Sequence, residues 1–439
     1  MQEPYINLDL DPLADGKYML VVFHVVPKEG HDFLGTASEV AAESSTGSNL
    51  RVGTATDFSD HLHALVYKID EEKNLAWIAY PWEIFDRGGN VQNLLTFVVG
   101  NVFGMSDVVA LRAVDCWMPK EMLEHYDGPS TTITDMKNYL GIKDRPVLGT
   151  IVKPKIGLKA KEFAEVCYQF WSGGGDFVKF DEPQADQSFC PFNECIDEIA
   201  EAMERAEQET GDKKVMSVNI SAPDFMMMQE RAEYVKSKLK PGSFAFLVDG
   251  ITAGWTALQT ARRMWPDVFL HFHRAGHGAF TRKENPIGFS VPFMTMMGRL
   301  SGASGMHTGT AGIGKMAGTP GEDIMAAHAA LFPESEGHYF TQDWYGMKGM
   351  CPIASGGLNP VLLKPYADLV GTTDFITTMG GGVHSHPGGT AKGATALRQA
   401  CTAWEEGIKL TEYAKDREEL ATAIEFYTNQ VPYTKKYLE

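Results

Sequence analysis

In "GGGDFVKFDEPQ", residues 173–184, a lysine sits inside an apolar run, just ahead of an adjacent aspartate and glutamate. Side chains alternate along a strand, so Lys179 and Asp181 point to one side and Glu182 stands at the exit. Two chemistries fit this spacing: a buried ion pair that ends a strand, or an oxygen-rich cation site. The second requires the lysine to change first, because an ammonium group has no lone pair to offer a metal. Hard carboxylate oxygens would favour magnesium over zinc there.

Other residues could serve an anionic substrate. Lys153 and Lys155 in "TIVKPK" are in phase around Pro154. They read either as surface lysines or as an acid–base group with a phosphate partner beside it. "HFHR" places His271 and His273 on one strand face, with Arg274 next and His277 in the following loop. His273, nearest the strand end, suits acid–base work, while His271 and His277 read as packing histidines. Arg274 offers a planar fork for phosphate or carboxylate. "GMHTGTAGIGKMAG" holds His307 and then a glycine-rich loop reaching Lys315. That loop is either a tight turn or a lid carrying a cation over a bound anion. "ASGG" (354–357) and "MGGG" (379–382) free backbone N–H groups that cradle phosphate.

These residues need elements to hold them. The chain has 439 residues, room for more than one domain. Up to residue 136, strand-like runs such as "KYMLVVFHVV" and "HALVYKID" mix with helix-like "NVQNLLTFVVG", predicting a compact α+β domain. The polar stretch "HYDGPSTTITDMKNYLGIKDRP" marks the crossing to a second domain over 137–439. There, eight short apolar runs alternate with segments of helical periodicity, such as "AKEFAEVCYQFWSG" and "CIDEIAEAMERAEQET". The runs begin at "PVLGTIVKPK", "DFVKFDE", "VMSVNIS", "SFAFLVD", "VFLHFHR", "GMHTGT", "CPIASGG" and "FITTMGGG". That alternation predicts a (β/α)₈ barrel, with an open doubly wound sheet as the alternative. Polar and glycine residues at the C-terminal ends of six runs favour the barrel, whose chemistry sits on that rim.

Composition narrows the partners. A net charge of −18 argues against nucleic acid or an anionic membrane surface, though not against a small anion met by local cations. No run of apolar residues is long enough to span a bilayer. The start, "MQEPYINLDLDPL", lacks a signal-peptide pattern, and six cysteines without a CxxC fit reduced thiols, so a cytoplasmic location is expected.

Taken together, "GGGDFVKFDEPQ", "GTIVKPKIGL", "HFHRAGHGA", "GMHTGTAGIGK", "PIASGG" and "AAESSTG" resemble the large chain of ribulose-1,5-bisphosphate carboxylase/oxygenase (Rubisco), in order and across both domains. The interval from His307 to Lys315, "GASGMHTGT" and Asn49 look like bacterial form II, whereas "GNVFGM" looks closer to other forms. The mixture is similar to the archaeal form II/III group. The resemblance implies a smaller ferredoxin-like α+β domain followed by the (β/α)₈ barrel.

It also answers the opening puzzle. It implies that Lys179 takes up an activator CO₂ as a carbamate and, with Asp181 and Glu182, holds Mg²⁺. Ribulose 1,5-bisphosphate and CO₂, or O₂ in competition, would be the substrates, and two molecules of 3-phosphoglycerate the carboxylation product. The Lys179 carbamate would take the carbon-3 proton, Lys153 would act as the acid–base partner supported by Lys155, and His273 would assist later proton transfers. Lys315 would reach over the new carboxylate. Arg274, His307 and Ser355 match positions around one phosphate. Gly357, Gly380 and Gly381, with Gly356 adjoining, match those around the other, and Thr46 stands near it. Glu43 and Asn101 would complete the neighbouring subunit's site, Glu43 pairing with the lid lysine, so a homodimer is the smallest active unit. Larger assemblies of dimers are compatible, and the form II features argue against a small subunit. The implied pathway is nucleoside monophosphate salvage or carbon fixation.

The sequence departs from the family at two places. Phe180 stands inside the K-x-D-E motif, where aspartate or asparagine is usual, and alternation points it away from Lys179 and Asp181 toward the helices. "GSN" at 47–49 makes Ser48 a weaker phosphate candidate. Three competing readings are a Rubisco-like enolase or isomerase of methionine salvage, a Schiff-base aldolase using Lys153 or Lys179, and a non-catalytic barrel. The presence of Lys153, Lys179, Asp181, Glu182, His273, Lys315 and Glu43 favours the carboxylase.

Overall fold

The eight apolar runs of the second domain are the eight strands of a closed parallel barrel. The computed structural model describes residues 4–47, 52–316 and 318–438, so Ser48 and Asn49 lie outside the described residues. In chain order the early strands are β1 (Tyr18–Pro27), β2 (Leu65–Asp70), β3 (Leu75–Pro81) and β4 (Val108–Trp117). The barrel then begins with β5 (Val147–Ile151), β6 (Phe177–Lys179), β7 (Val215–Asn219), β8 (Phe244–Asp249) and β9 (Phe269–His273). After β10 (Ile287–Phe289) comes β11 (Gly305–His307), followed by β12 (Glu334–Glu336) and β13 (Thr341–Asp343). β14 (Cys351–Ser355) and β15 (Ile376–Thr378) complete the barrel, whose order is β11-β14-β15-β5-β6-β7-β8-β9.

Barrel strands are covered on both faces, which is why they read as near-continuous apolar runs rather than alternating ones. β7 and β8 are buried along their whole length. The outer helices bury one stripe each. In Ala160–Ser172 the buried side is Ala160, Phe163, Ala164, Cys167, Phe170 and Trp171, at three- and four-residue spacing. Phe192–Thr210 repeats the pattern and ends at Gly211, whose left-handed φ of 74° stops the helix. At the strand entrances, Arg145 forms a two-pronged ion pair with Asp176 at 2.5 and 2.9 Å, and Asp176 also accepts from Leu148 N at 2.8 Å. That fork ties β5 to β6 at the end opposite the chemistry.

Two compact units divide the chain: Met1–Pro129 with Gly276–Gly302 and His328–Gly349, and Ser130–Ala275 with Ala303–Ala327 and Met350–Glu439. The first break falls ahead of the 136/137 boundary expected from the sequence. Thr131 Oγ1 donates to Val268 O at 3.1 Å, and Lys137 pairs with Asp374 at 2.6 Å, so this stretch belongs with the barrel. The other unit is built on a five-stranded sheet of order β10-β4-β1-β3-β2, antiparallel except where β10 runs parallel to β4. Arg112 secures that edge, donating to Asn285 O at 2.7 Å and Phe289 O at 3.2 Å. Among the described residues no helix is long and apolar enough to cross a membrane. The six cysteines are free thiols.

Candidate active site

The ends of the barrel strands bring the predicted cations and carboxylates together. Lys179, the last residue of β6, is fully buried, and its Nζ has no hydrogen-bond partner. It stands 3.7 Å from Asp181 Oδ1. Burial pushes its pKa down to about 8, although Asp181 and Glu182 oppose the shift. Lys153, just past β5, reaches Asp181 Oδ2 at 2.5 Å, and Lys155 pairs with Glu182. Burial works against the Asp181 carboxylate but is outweighed by its hydrogen bonds and the Lys179 and Lys153 charges, which hold it below the ordinary range.

The residue between Lys179 and Asp181 turns the other way. Phe180 is 2% exposed and meets Phe163 of the outer helix edge to face, with centroids 5.0 Å apart. Strand alternation therefore keeps the aromatic ring out of the polar site, as expected from the sequence.

His273 closes the site from β9. Its Nδ1 lies 3.3 Å from Asp249 Oδ1 and its Nε2 3.7 Å from Glu182 Oε2. Burial, and then the Lys179 charge, lower its pKa. Polar atoms of Asp181, Glu182 and His273 all lie within 4.8 Å of one another, a spacing that a divalent cation could bridge. His271 and His307 sit deeper, with their pKa values held well below the ordinary one by burial. His307 Nδ1 lies 2.9 Å from Ser355 Oγ.

Arg274 follows His273. Its Nη1 is buried without a hydrogen-bond partner, and burial lowers its pKa to about 10 against the favourable charge of Asp323. After the neighbouring strand β11, Lys315 N donates to Gly356 O at 3.0 Å. Gly356 and Gly357 have φ of 106° and 90°, and a Cβ at Gly357 would lie 2.7 Å from Lys315 N. Only glycine suits both the dihedral and the close approach. Gly380 sits by the Lys153 side chain, where a Cβ would lie 3.2 Å from Cε, and Gly381 follows it at the start of a short turn of helix.

Four further residues singled out from the sequence lie in the other compact unit. Glu43, at the end of the helix Phe33–Glu43, accepts a hydrogen bond from Asn101 Nδ2. Thr46 Oγ1 is 2.9 Å from the Tyr5 hydroxyl. His277 engages Thr281 Oγ1 at 2.7 Å, a local contact in keeping with a packing histidine.

Sequence reading missed several supports. Asn219, ending β7, donates to Glu182 O at 2.9 Å and Gln184 O at 3.2 Å, bracing the carboxylate loop. Gln184 accepts from Asp181 N at 2.7 Å and donates to Lys155 O at 2.8 Å. Asp249, ending β8, places its Oδ1 3.3 Å from His273 Nδ1, and that nitrogen accepts from Ala275 N at 3.2 Å. Both Asn219 and Asp249 are terminal polar residues of apolar runs, the same signal that singled out the other six strands.

Known proteins resemble this chain along nearly its whole length. Residues 4–122 match the family description "Ribulose bisphosphate carboxylase large chain, N-terminal domain", and residues 132–427 match "Ribulose bisphosphate carboxylase large chain, catalytic domain". A ribulose bisphosphate carboxylase of Rhodobacter capsulatus is 45% identical over 438 residues, covering 97% of this chain and 95% of that protein. One from Paramagnetospirillum magnetotacticum is 44% identical with the same coverage. Among solved structures, a dimeric archaeal Rubisco from Hyperthermus butylicus matches with a TM-score of 0.89 at 35% identity, covering 96% of this chain and 98% of that one. An octameric Rubisco from Pyrococcus horikoshii matches at 0.87 and 33% identity, covering 98% and 100%. With both domains matched and nearly the whole length aligned, the chain belongs to the ribulose bisphosphate carboxylase large chain family.

Proposed function

We propose that this chain is a ribulose-1,5-bisphosphate carboxylase, with oxygenase activity in competition, switched on by carbamylation of Lys179. One observation carries the reading: a fully buried lysine amine without a hydrogen-bond partner, its pKa near 8, beside two carboxylates. Only a neutral amine attacks CO₂. Nζ forms the N–C bond and gives up one proton, leaving a carbamate whose single negative charge is shared by two oxygens, where an ammonium would have stood. The donor set then becomes oxygen from three side chains, which fits Mg²⁺.

Carbamylated Lys179, Asp181 and Glu182 would hold that ion. Bound there, Mg²⁺ supplies positive charge to the substrate oxygens as they become anionic. The remaining steps belong to side chains. The Lys179 carbamate takes the carbon-3 proton of ribulose 1,5-bisphosphate. Lys153, bound to Asp181 in the absence of substrate, returns a proton to the carbanion left after carbon–carbon cleavage, with Lys155 maintaining its charge environment. His273, whose Nδ1 accepts from Ala275 N and lies beside the Asp249 carboxylate, moves protons during hydration. Lys315 neutralises the new carboxylate. Arg274, His307 and Ser355 take one phosphate, supported by the buried and unpartnered Arg274 Nη1. The backbone around Gly356, Gly357, Gly380 and Gly381 takes the other, with Thr46 near it.

The functional unit in this reading is a homodimer, in which Glu43 and Asn101 of each protomer serve the partner's site, and larger assemblies are built from such dimers. The relatives from Hyperthermus and Pyrococcus are described as dimeric and octameric. We assign the activity to the cytoplasm, in nucleoside monophosphate salvage or carbon fixation.

The test is fixation of ¹⁴CO₂ into acid-stable product with ribulose bisphosphate, after preincubation with bicarbonate and Mg²⁺. Activity that needs the preincubation and is lost in Lys179→Ala supports both the reaction and the carbamate. No fixation by folded dimer refutes the carboxylase and leaves the enolase or isomerase reading to be tried next.

A further inference from the structure

A row of four hydrogen-bonding side chains runs through the barrel interior. Ser217 Oγ on β7 lies 3.0 Å from His271 Nδ1 on β9, and His271 Nε2 lies 3.0 Å from His307 Nε2 on β11. His307 Nδ1 lies 2.9 Å from Ser355 Oγ on β14. Ser217 and His271 are fully buried, and His307 is 5% exposed. Every ring nitrogen is thus engaged, and both rings are neutral because burial disfavours the imidazolium.

Counting hydrogens leaves two arrangements. A neutral imidazole carries one N–H and a hydroxyl carries one O–H, so the four groups own four hydrogens for three links. One hydrogen is left over at one end of the row. In the first arrangement Ser217 donates to His271 Nδ1, His271 Nε2–H to His307 Nε2, and His307 Nδ1–H to Ser355 Oγ. The Ser355 hydrogen is then free. In the second every link reverses, Ser355 donates inward to His307, and the spare hydrogen is on Ser217.

Phosphate oxygens act as acceptors, so a phosphate at Ser355 selects the first arrangement. We propose that His271 and Ser217 are positioning residues that hold His307 as its Nδ1–H tautomer, so that Ser355 presents its hydroxyl hydrogen to a bound phosphate. His307 then acts on the anion through Ser355, since both its own nitrogens are occupied. The inference rests on the assignment of Ser355, His307 and Arg274 to a phosphate.

The direct test uses the unaltered protein, labelled with ¹⁵N-histidine and titrated with inorganic phosphate. His271→Gln and His307→Gln assign the two resonance pairs, and ³¹P line broadening reports binding independently. With phosphate bound, the expected state is protonated Nδ1 with bare Nε2 on His307, and the converse on His271. Phosphate binding with the opposite tautomers, or with either ring doubly protonated, overturns the inference while leaving the phosphate site intact. No phosphate binding overturns the site assignment and the inference with it. A kinetic test is independent of the spectra. His271→Phe removes the donor to His307 Nε2 and should raise the KM for ribulose bisphosphate roughly ten- to a hundredfold, the worth of one hydrogen bond to a charged group, with kcat changing far less. His271→Gln, whose amide can still donate, should recover most of the loss. Equal losses in both variants, or a loss confined to kcat, would refute the role.

Discussion

Replacing Phe180 by alanine separates the two faces of the strand that carries Lys179. The ring is 2% exposed, and its neighbour across the interface is Phe163 at 5.0 Å. It also borders a small cavity of about 20 Å³ lined by Ile156, Leu158, Phe189, Cys190 and Cys195, so truncation would enlarge a gap that already exists. A buried Phe→Ala change of this kind costs about 3–5 kcal/mol. In a unit of this size each kcal/mol lowers Tm by about 2–4 °C, so the expected fall is roughly 6–20 °C. Lys179 faces the other way, and below the new Tm the variant should still incorporate CO₂ at Lys179 as the parent does. Calorimetry gives the first quantity, and trapping of labelled CO₂ after Mg²⁺-dependent activation gives the second. An unchanged Tm would show that the ring does not belong to the core. Loss of CO₂ uptake in folded protein would show that the two faces are not independent.

Other expectations can be tested alongside it. In chelator-treated protein at fixed dissolved CO₂, the rate of Lys179 carbamylation should climb about tenfold per pH unit and level off above about 8, because only the neutral amine reacts and burial puts its half-point there. A climb that continues to about pH 10 would mark an ordinary exposed lysine. Asp176→Leu leaves the Arg145 guanidinium buried without its partner and should cost about 3–5 kcal/mol. The Arg145→Met/Asp176→Leu pair should restore most of that stability by calorimetry, and a double variant no better than the single one would contradict the ion-pair account. Lys179→Ala and Glu43→Gln should each be inactive alone, yet regain ¹⁴CO₂ fixation when mixed under conditions of subunit exchange. Failure of verified hybrid dimers to recover would argue against sites shared between protomers.

The barrel was legible because six of its eight strands end in conspicuous polar or glycine-rich residues. An apolar run stopping at "KFDE" or "HFHR" shows where polar side chains begin, although Lys179, Asp181 and His271 are themselves buried. The direction of Phe180 followed from alternation alone. Asn219 and Asp249 escaped because a single polar residue at a strand end is also how an ordinary turn starts, and only the distance to Glu182 or His273 tells the two apart. The stretch "VPFMTMMGRL" offered no usable pattern. All ten of its residues are buried as the helix Val291–Leu300, so no polar stripe exists to reveal the period. His271 reads as packing, which its complete burial supports, but its partners on β7 and β11 come from strands remote in sequence.

The edge strand β10 and the carbonyls that receive Arg112 belong to a segment translated long after the four strands they complete. During vectorial synthesis, β1 to β4 leave the ribosome with one flank of β4 unpaired and without the Asn285 and Phe289 carbonyls for Arg112, until the intervening part of the barrel has been made. Nascent chains of this protein are therefore most exposed to edge-to-edge association in that interval. An isolated fragment 1–129 would keep the same defect permanently.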